Sequence, residues 1–305
     1  MPPRIALIVN PTSGKGAGAA MGEEATRRLR QACHEVIDVS GTSYEAAHAR
    51  AAAALADGVD TLVVVGGDGM VHLGVNLCAE TSVRLGVVAA GTGNDFANHL
   101  GLPVRDPTAA VGVILAGVTR AIDAGRVSAV SAVSGEVRWF GGVLGAGFDA
   151  VVAARAARMR WPRGAMRYNL AIARELPVFR PIPYVVELDG QRLQTRAMLV
   201  AVANTSSFGG GMKVCPDADV ADGLFDVLIV HELSMPAFLR VFPKVFSGTH
   251  VGHRAVEIRR ARRVRLEAPG IHAQADGEPV AALPLDIEVV PAALTVAVPD
   301  PEGSR

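Results

Sequence analysis

The hydrophobic pattern changes character once along the chain, near Asp123. Before that point, short unbroken apolar runs alternate with helical stretches. Leu62–Val65 is rich in β-branched residues and closed by glycines, so it reads as a buried strand, and Ile5–Val9, Val36–Val39 and Leu85–Ala89 read as further strands. Between them, Ala19–Ala32 places Met21, Ala25, Leu29 and Ala32 on one helical face, and Tyr44–Ala56 is alanine-rich. Further helices are predicted at about Val71–Ala79, Asp95–Leu100 and Pro107–Leu115. Strands alternating with helices imply a doubly wound, parallel α/β sheet.

Beyond Asp123 the strands lengthen and polar positions enter them: Val137–Val143, Tyr184–Leu188, Ala197–Ala203, Leu224–Val230 and Val264–Leu266. Helical segments are expected at about Ala150–Met159, Ala165–Glu175 and Met235–Phe246. This half reads as an antiparallel β-sandwich. The boundaries predicted are therefore 1–124 for the α/β domain and 125–285 for the β domain. The last strands, Asp286–Val290 and Leu294–Val298, stay with the second or return to the first, as a strand over about 286–299.

Composition narrows the class. A chain of 305 residues, half of it hydrophobic, has enough material for a core in each domain. A formal net charge of +0 argues against a nucleic-acid binder held by bulk electrostatics. The three cysteines, Cys33, Cys78 and Cys215, are widely spaced and odd in number, which suits a reducing cytosol better than a disulfide framework or a zinc set. No apolar run reaches the roughly 18 residues of a membrane span, and Met1–Arg4 leads into a strand without signal-peptide character.

Three predicted strand ends carry polar, glycine-rich turns: Asn10-Pro11-Thr12-Ser13-Gly14-Lys15-Gly16, Gly66-Gly67-Asp68-Gly69 and Gly91-Thr92-Gly93-Asn94-Asp95. In a parallel sheet all three emerge at one edge, where such folds bind ligands. Backbone N–H groups of these turns suit phosphate, and Lys15 adds a point charge. Asp68 suits a magnesium–phosphate complex or a proton taken from a hydroxyl, against the plainer alternative of a capping aspartate. The first loop is not a P-loop, because the G-x-x-x-x-G-K-[ST] spacing is absent.

Other motifs carry less. Gly145-Ala146-Gly147-Phe148-Asp149-Ala150 satisfies a G-x-G-x-x-A dinucleotide pattern, but an acid-ended strand does not follow about 20 residues on, and a tight strand–helix junction fits better. Asp222-Gly223 and Asp276-Gly277 read first as hairpin turns. His250 and His253 lack a third ligand for zinc. Arg155, Arg158, Arg160, Trp161, Arg163, Arg167 and Tyr168 form either a solvated face or an interface with anionic headgroups. Arg259–Arg263 reads as an exposed connection between strands.

Taken in order, Asn10-Pro11-x-Ser13-Gly14-Lys15, Gly66–Gly69, Gly91–Ala97, Gly147–Ala150, Asp222-Gly223 and Asp276-Gly277-Glu278 resemble the diacylglycerol kinase catalytic-domain family, over nearly the whole chain. Arg158–Tyr168 is similar to actinobacterial members. The resemblance implies a nucleotide-binding α/β domain and a β-sandwich domain, with the active site in the cleft between them. ATP would be held by Asn10, Pro11, Thr12, Ser13, Gly14, Lys15, Thr42, Gly66, Gly67, Asp68, Gly69, Thr92, Gly93 and Asn94, with Glu278 beside the nucleotide. Asp276 matches the general base. Asp68, Asp95 and Asp123 match an acidic network that orders Mg2+ and water. Asp222, with the carbonyls of Asp219 and Leu224, matches a second, structural magnesium site.

One stretch departs from the family. After Gly69 its members usually carry Thr and, two residues on, Asn-Glu; here Met70, His72 and Leu73 stand instead. The expected function is ATP-dependent phosphorylation of membrane diacylglycerol to phosphatidic acid by a cytoplasmic protein that docks reversibly on the inner leaflet. Many relatives are homodimers, which extends to this chain by analogy alone. The alternatives are a kinase for a sphingoid, ceramide-like or unusual glycerolipid substrate, an NAD kinase, and a nucleotide-binding regulator without turnover.

Overall fold

The computed structural model describes residues 4–32, 35–130, 137–148, 151–152, 155, 159, 161, 170, 174 and 179–300. The chain divides into two compact units, one formed by Met1–Ala124 with Val290–Arg305 and the other by Gly125–Val289.

The first unit contains strands β1 (Arg4–Val9), β2 (Glu35–Asp38), β3 (Thr61–Gly66) and β4 (Arg84–Ala89). Its helices are α1 (Ala17–Gln31), α2 (Tyr44–Ala56), α3 (Asp68–Cys78), α4 (Asp95–His99) and α5 (Pro107–Ala116). The sheet runs β2-β1-β3-β4, every pair parallel, with Ile5 opposite Thr61 and Leu62 opposite Leu85. Its far neighbour is the end of β15 (Leu285–Ala297), parallel to β4 with Val296 opposite Leu85.

Residue alternation sorts the two sheet faces. Ile5, Leu7, Val63, Val65 and Val88 pack with Met21, Ala25 and Leu29 of α1 and Val111 and Ile114 of α5. On the other face α3 lies close, because Gly74 has no side chain: a Cβ there would stand 2.6 Å from Leu85 Cδ1. Local signals set the helix starts. The Ser43 hydroxyl accepts the Ala46 N–H at 3.2 Å, and the Asp106 carboxylate accepts that of Ala109 at 2.9 Å.

The second unit is mostly antiparallel. Its strands are the end of β5 (Thr119–Ala129), β6 (Val137–Phe140), β7 (Val143–Gly147), β8 (Ile182–Leu188), β9 (Gln191–Ala203), β10 (Phe225–His231), β11 (Val256–Ala261), β12 (Arg263–Glu267), β13 (His272–Ala275), β14 (Glu278–Ala282) and the start of β15. The long β9 pairs with β8 along Gln191–Ala197, and farther on with β7 on one side and β10 on the other. Phe140, Leu144, Tyr184, Val200, Val202, Phe225, Val227, Leu266 and Ile287 fill the sandwich. The opposite face of β9 and β10 is covered by α6 (Met235–Val241), where Phe238 packs edge-on against Phe148 at 5.4 Å.

Several expectations need correction. The run Val137–Val143 is two strands broken at Gly141-Gly142. The last two predicted strands are one, β15, and it passes from the second unit into the first. β11 was not anticipated; Arg259 and Arg260 lie inside it, so only Arg262 falls between strands. β14 was not among the predicted strands, and Pro279 is tolerated in it because β14 ends the strand order. The helices expected over Ala150–Met159 and Ala165–Glu175 lie largely outside the described residues, as does most of the Arg155–Tyr168 stretch. Cys78 and Cys215 are buried free thiols, and burial pushes Cys78 up to about 12; Cys33 is outside the described residues.

Candidate active site

In the first unit, three glycine turns pack against one another at the carboxyl ends of β1, β3 and β4. Asn10 anchors the first: its N–H donates to the Val65 carbonyl at 2.9 Å, and its Oδ1 accepts the Thr12 N–H and hydroxyl at 3.1 and 2.8 Å. Gly14 follows with φ +58°, and a Cβ on it would stand 2.0 Å from the Ala90 carbonyl oxygen. Only glycine lets the loop approach β4 so closely. Pro11, Thr12 and Lys15 are exposed.

The second and third turns touch directly. A Cβ on Gly91 would lie 2.6 Å from the Gly67 Cα, and one on Gly67 would lie 3.6 Å from the Ser13 Oγ. Gly66 closes β3, and its carbonyl accepts the Ala90 N–H at 2.7 Å. Asn94 is buried and braces its own turn: Oδ1 accepts the Gly91 N–H at 2.9 Å, and Nδ2 donates to the Gly91 carbonyl at 3.0 Å. Arg105 adds two donations to that carbonyl, at 3.2 and 3.3 Å, a contact that the sequence did not reveal.

Asp68 opens α3 and accepts the Asn94 N–H at 3.1 Å and the Asp95 N–H at 3.0 Å. The carboxylates of Asp68 and Asp95 both border Gly93, whose Cβ would stand 2.7 Å from one and 3.5 Å from the other. Gly69 lies in the first turn of α3 and Thr92 is exposed between the glycines. Asp123, on β5, is buried and accepts the Ala292 N–H at 2.9 Å. Thr42 is exposed beyond β2, just before the α2 cap. The structure therefore gathers the Asn10–Lys15, Gly66–Gly69 and Gly91–Asp95 residues, while Asp123 and Thr42 stand on neighbouring elements. Among the described residues no three His, Cys, Asp or Glu side chains are arranged to hold a metal.

The departing residues of α3 turn inward. Leu73 is fully buried, and His72, also buried, faces Asn76, with Nε2 3.2 Å from its Nδ2. Met70 lies against Gly66, whose Cβ would meet its Cγ at 2.3 Å.

In the second unit, Asp276 and Gly277 form the two-residue tip of the β13–β14 hairpin, with Ala275 opposite Glu278 and φ of +54° and +87° at the tip. The Asp276 side chain turns back onto the β6–β7 junction. Its Oδ2 accepts the Gly141 N–H at 3.1 Å, and its Oδ1 accepts those of Gly142 and Val143 at 2.9 and 3.1 Å. Glu278, half-buried, follows at the start of β14. Sequence reasoning missed Gly141 and Gly142, although a Gly-Gly pair inside an apolar run was the available signal.

The Asp222 turn is held by its own backbone and by an arginine. Asp222 Oδ1 accepts the Leu224 N–H at 3.0 Å, and Oδ2 is paired with the Arg260 guanidinium. Asp219 Oδ1 accepts the Ala221 N–H at 3.0 Å. A guanidinium thus stands where Asp222 was expected to meet a divalent ion. Beside them, burial first and Asp217 second push the Asp226 carboxyl above the usual aspartate range. His250 and His253 serve the backbone, at the Val214 carbonyl and the Ala255 N–H. The glycines of the dinucleotide-like pattern sit on β7, an antiparallel strand, which excludes that reading.

Comparison with known proteins agrees with this architecture. The model of the diacylglycerol kinase catalytic domain matches residues 4–127, and that of the YegS C-terminal NAD kinase beta sandwich-like domain matches residues 142–298. A Mycobacterium tuberculosis protein named diacylglycerol kinase is 40% identical over 297 residues, covering 97% of this chain and 95% of that one. A Bacillus subtilis protein of the same name is 32% identical over 267 residues, covering 86% and 85%. A solved Bacillus anthracis structure described as a diacylglycerol kinase superimposes with a TM-score of 0.71 at 21% identity, over 98% and 97% of the two chains. A yeast NADH kinase, at TM-score 0.53 and 13% identity over 98% and 84%, shares the fold alone. An α/β unit with three converging glycine turns, a β-sandwich unit, and a relative 40% identical over 97% of the chain place this chain in the diacylglycerol kinase family.

Proposed function

We propose that the protein transfers the γ-phosphate of ATP to the hydroxyl of diacylglycerol, giving phosphatidic acid. The observation that carries this reading is the mutual packing of the Asn10–Lys15, Gly66–Gly69 and Gly91–Asn94 turns, which clusters glycine backbone and the exposed Lys15 loop at one sheet edge. Phosphoryl transfer requires positioning and charge neutralisation more than covalent help from the protein. The glycine turns supply N–H groups to phosphate oxygens, and Lys15 supplies charge.

Asp68 and Asp95, both bordering Gly93, fit a magnesium ion that arrives with the nucleotide, since such ions use one or two carboxylates and the phosphates. When bound, the ion would offset charge on the phosphate oxygens. Asp276 accepts the proton of the lipid hydroxyl. The oxygen–phosphorus bond to the lipid then forms, and the bridging oxygen leaves with ADP.

A substrate embedded in a bilayer calls for reversible docking on the membrane surface, and we assign the protein to the cytoplasmic face. No helix among the described residues is long and apolar enough to cross a membrane. Trp161 is 77% exposed and Arg155 is exposed, and both residue types suit headgroups.

A nucleotide-binding regulator without turnover is favoured by one observation: Met70 and Leu73 bring no hydroxyl or carboxylate to the start of α3. One experiment separates the readings. Pure protein is incubated with labelled ATP, magnesium, NAD and a panel of diacylglycerols, ceramides and sphingoid bases. Labelled phosphatidic acid is expected. Label on another lipid or on NAD, or no transfer at all, overturns the assignment.

A further inference from the structure

We propose that Gly141 and Gly142, braced by Asn204, are the positioning element of the proton acceptor. The inference rests on the reading of Asp276 as that acceptor. Three successive backbone N–H groups, from Gly141, Gly142 and Val143, converge on a single carboxylate at 2.9–3.1 Å. Successive N–H groups make an anion-binding concavity. The Asp276 N–H returns a bond to the Val143 carbonyl at 3.0 Å, so backbone and side chain are both tied to the same junction.

The junction is itself held from behind. Asn204 Nδ2 donates to the Gly141 carbonyl at 2.9 Å, and the Asn204 and Thr205 N–H groups donate to the Gly142 carbonyl at 2.9 and 3.3 Å. Asn204 and Thr205 are 1% and 0% exposed, so this brace is shielded from water. The two carbonyls are thereby pulled one way and the three N–H groups face the other.

Residue 142 has no room for a side chain. A Cβ there would stand 2.6 Å from Asp276 Oδ1 and 3.4 Å from Thr205 Oγ1. A methyl group would therefore displace the carboxylate itself. On a two-residue hairpin tip an aspartate side chain would otherwise rotate among several staggered states. The cradle selects one, and a shift of about 1 Å at a reacting group can cost roughly a hundredfold in rate.

The test is a double-mutant cycle between Gly142→Ala and Asp276→Asn, read by single-turnover transfer of labelled phosphate to a diacylglycerol, with ATP affinity measured separately by calorimetry. Gly142→Ala is expected to lower turnover roughly a hundredfold with unchanged ATP affinity. In the Asp276→Asn background it is expected to change turnover less than about threefold, because nothing remains to be positioned. Equal losses in both backgrounds, or near-normal turnover of Gly142→Ala, overturn the cradle while leaving Asp276 in place. Near-normal turnover of Asp276→Asn alone removes the acceptor and the cradle's role together. If Gly142→Ala does not fold, Asn204→Ala keeps both glycines. It is expected to lose about tenfold in turnover in the parent and nothing further in Asp276→Asn, and an equal loss in both refutes the proposal.

Discussion

Asp68 and Asp95 are joined by a hydrogen bond from the Asp95 N–H to Asp68 Oδ1 at 3.0 Å, which ties the first residue of α3 to the first residue of α4. The adjoining Asn94 N–H reaches Oδ2 at 3.1 Å. One carboxylate thus fixes the spacing of two of the three glycine turns.

Asp68→Asn replaces one accepting oxygen by a donor facing an N–H. The lost bond and the unpaired group are expected to cost about 1–3 kcal/mol of stability. Steady-state kinetics should show ATP KM and turnover worsening together, by at least about tenfold in turnover/KM, since both turns shift.

Gly14 and Gly16 provide a matched pair of substitutions. Both have positive φ, but a Cβ on Gly14 meets the Ala90 carbonyl at 2.0 Å, whereas one on Gly16 meets nothing within 4 Å. Gly16→Ala is expected to cost about 1–2 kcal/mol in backbone strain with ATP affinity nearly unchanged. Gly14→Ala is expected to push the loop off β4 and to weaken ATP binding about tenfold or more, as titration calorimetry would register.

The Asp226 carboxyl, raised by burial and by Asp217, sets a pH dependence of definite sign. Its folded pKa lies above the unfolded value, so the folded state holds more protons between the two, and this group's contribution to stability falls as pH rises through that window. Asp226→Asn should melt higher than the parent at pH 7–8, and the difference should vanish below about pH 3, where both forms are neutral.

Arg260 is the cation paired with Asp222 in this structure. Thermal melts of the nucleotide-free protein with EDTA and with magnesium are expected to coincide. Arg260→Gln leaves Asp222 without its cation and Asp226 without the guanidinium 3.9 Å away. Because Arg260 is half exposed, the loss should be modest, about 1 kcal/mol.

How much of this was legible depends on the physical source of each element. Leu62–Val65 and Ile5–Val9 were readable because parallel strands are buried on both faces and stay apolar throughout. The turns after them announce themselves by glycines that backbone packing demands. β11 was hidden because it is only half-buried, and Glu257, Arg259 and Arg260 give it a charged surface. Pro279 disguised β14. The Gly141–Asp276 and Asp222–Arg260 contacts join residues 135 and 38 positions apart, and no local periodicity encodes such pairs. The resemblance to a family supplied Asp276, but not the glycines that hold it.

β15 carries a consequence for how the molecule is made. Val296 is the partner of Leu85, and the N–H of Ala292 caps Asp123. During synthesis β4 therefore gains this partner only after the whole Gly125–Val289 unit has been made. A chain stopped at residue 289 would retain every residue proposed here for nucleotide and proton handling. It would nonetheless expose an apolar strand edge, and aggregation rather than inactivity would be its first defect.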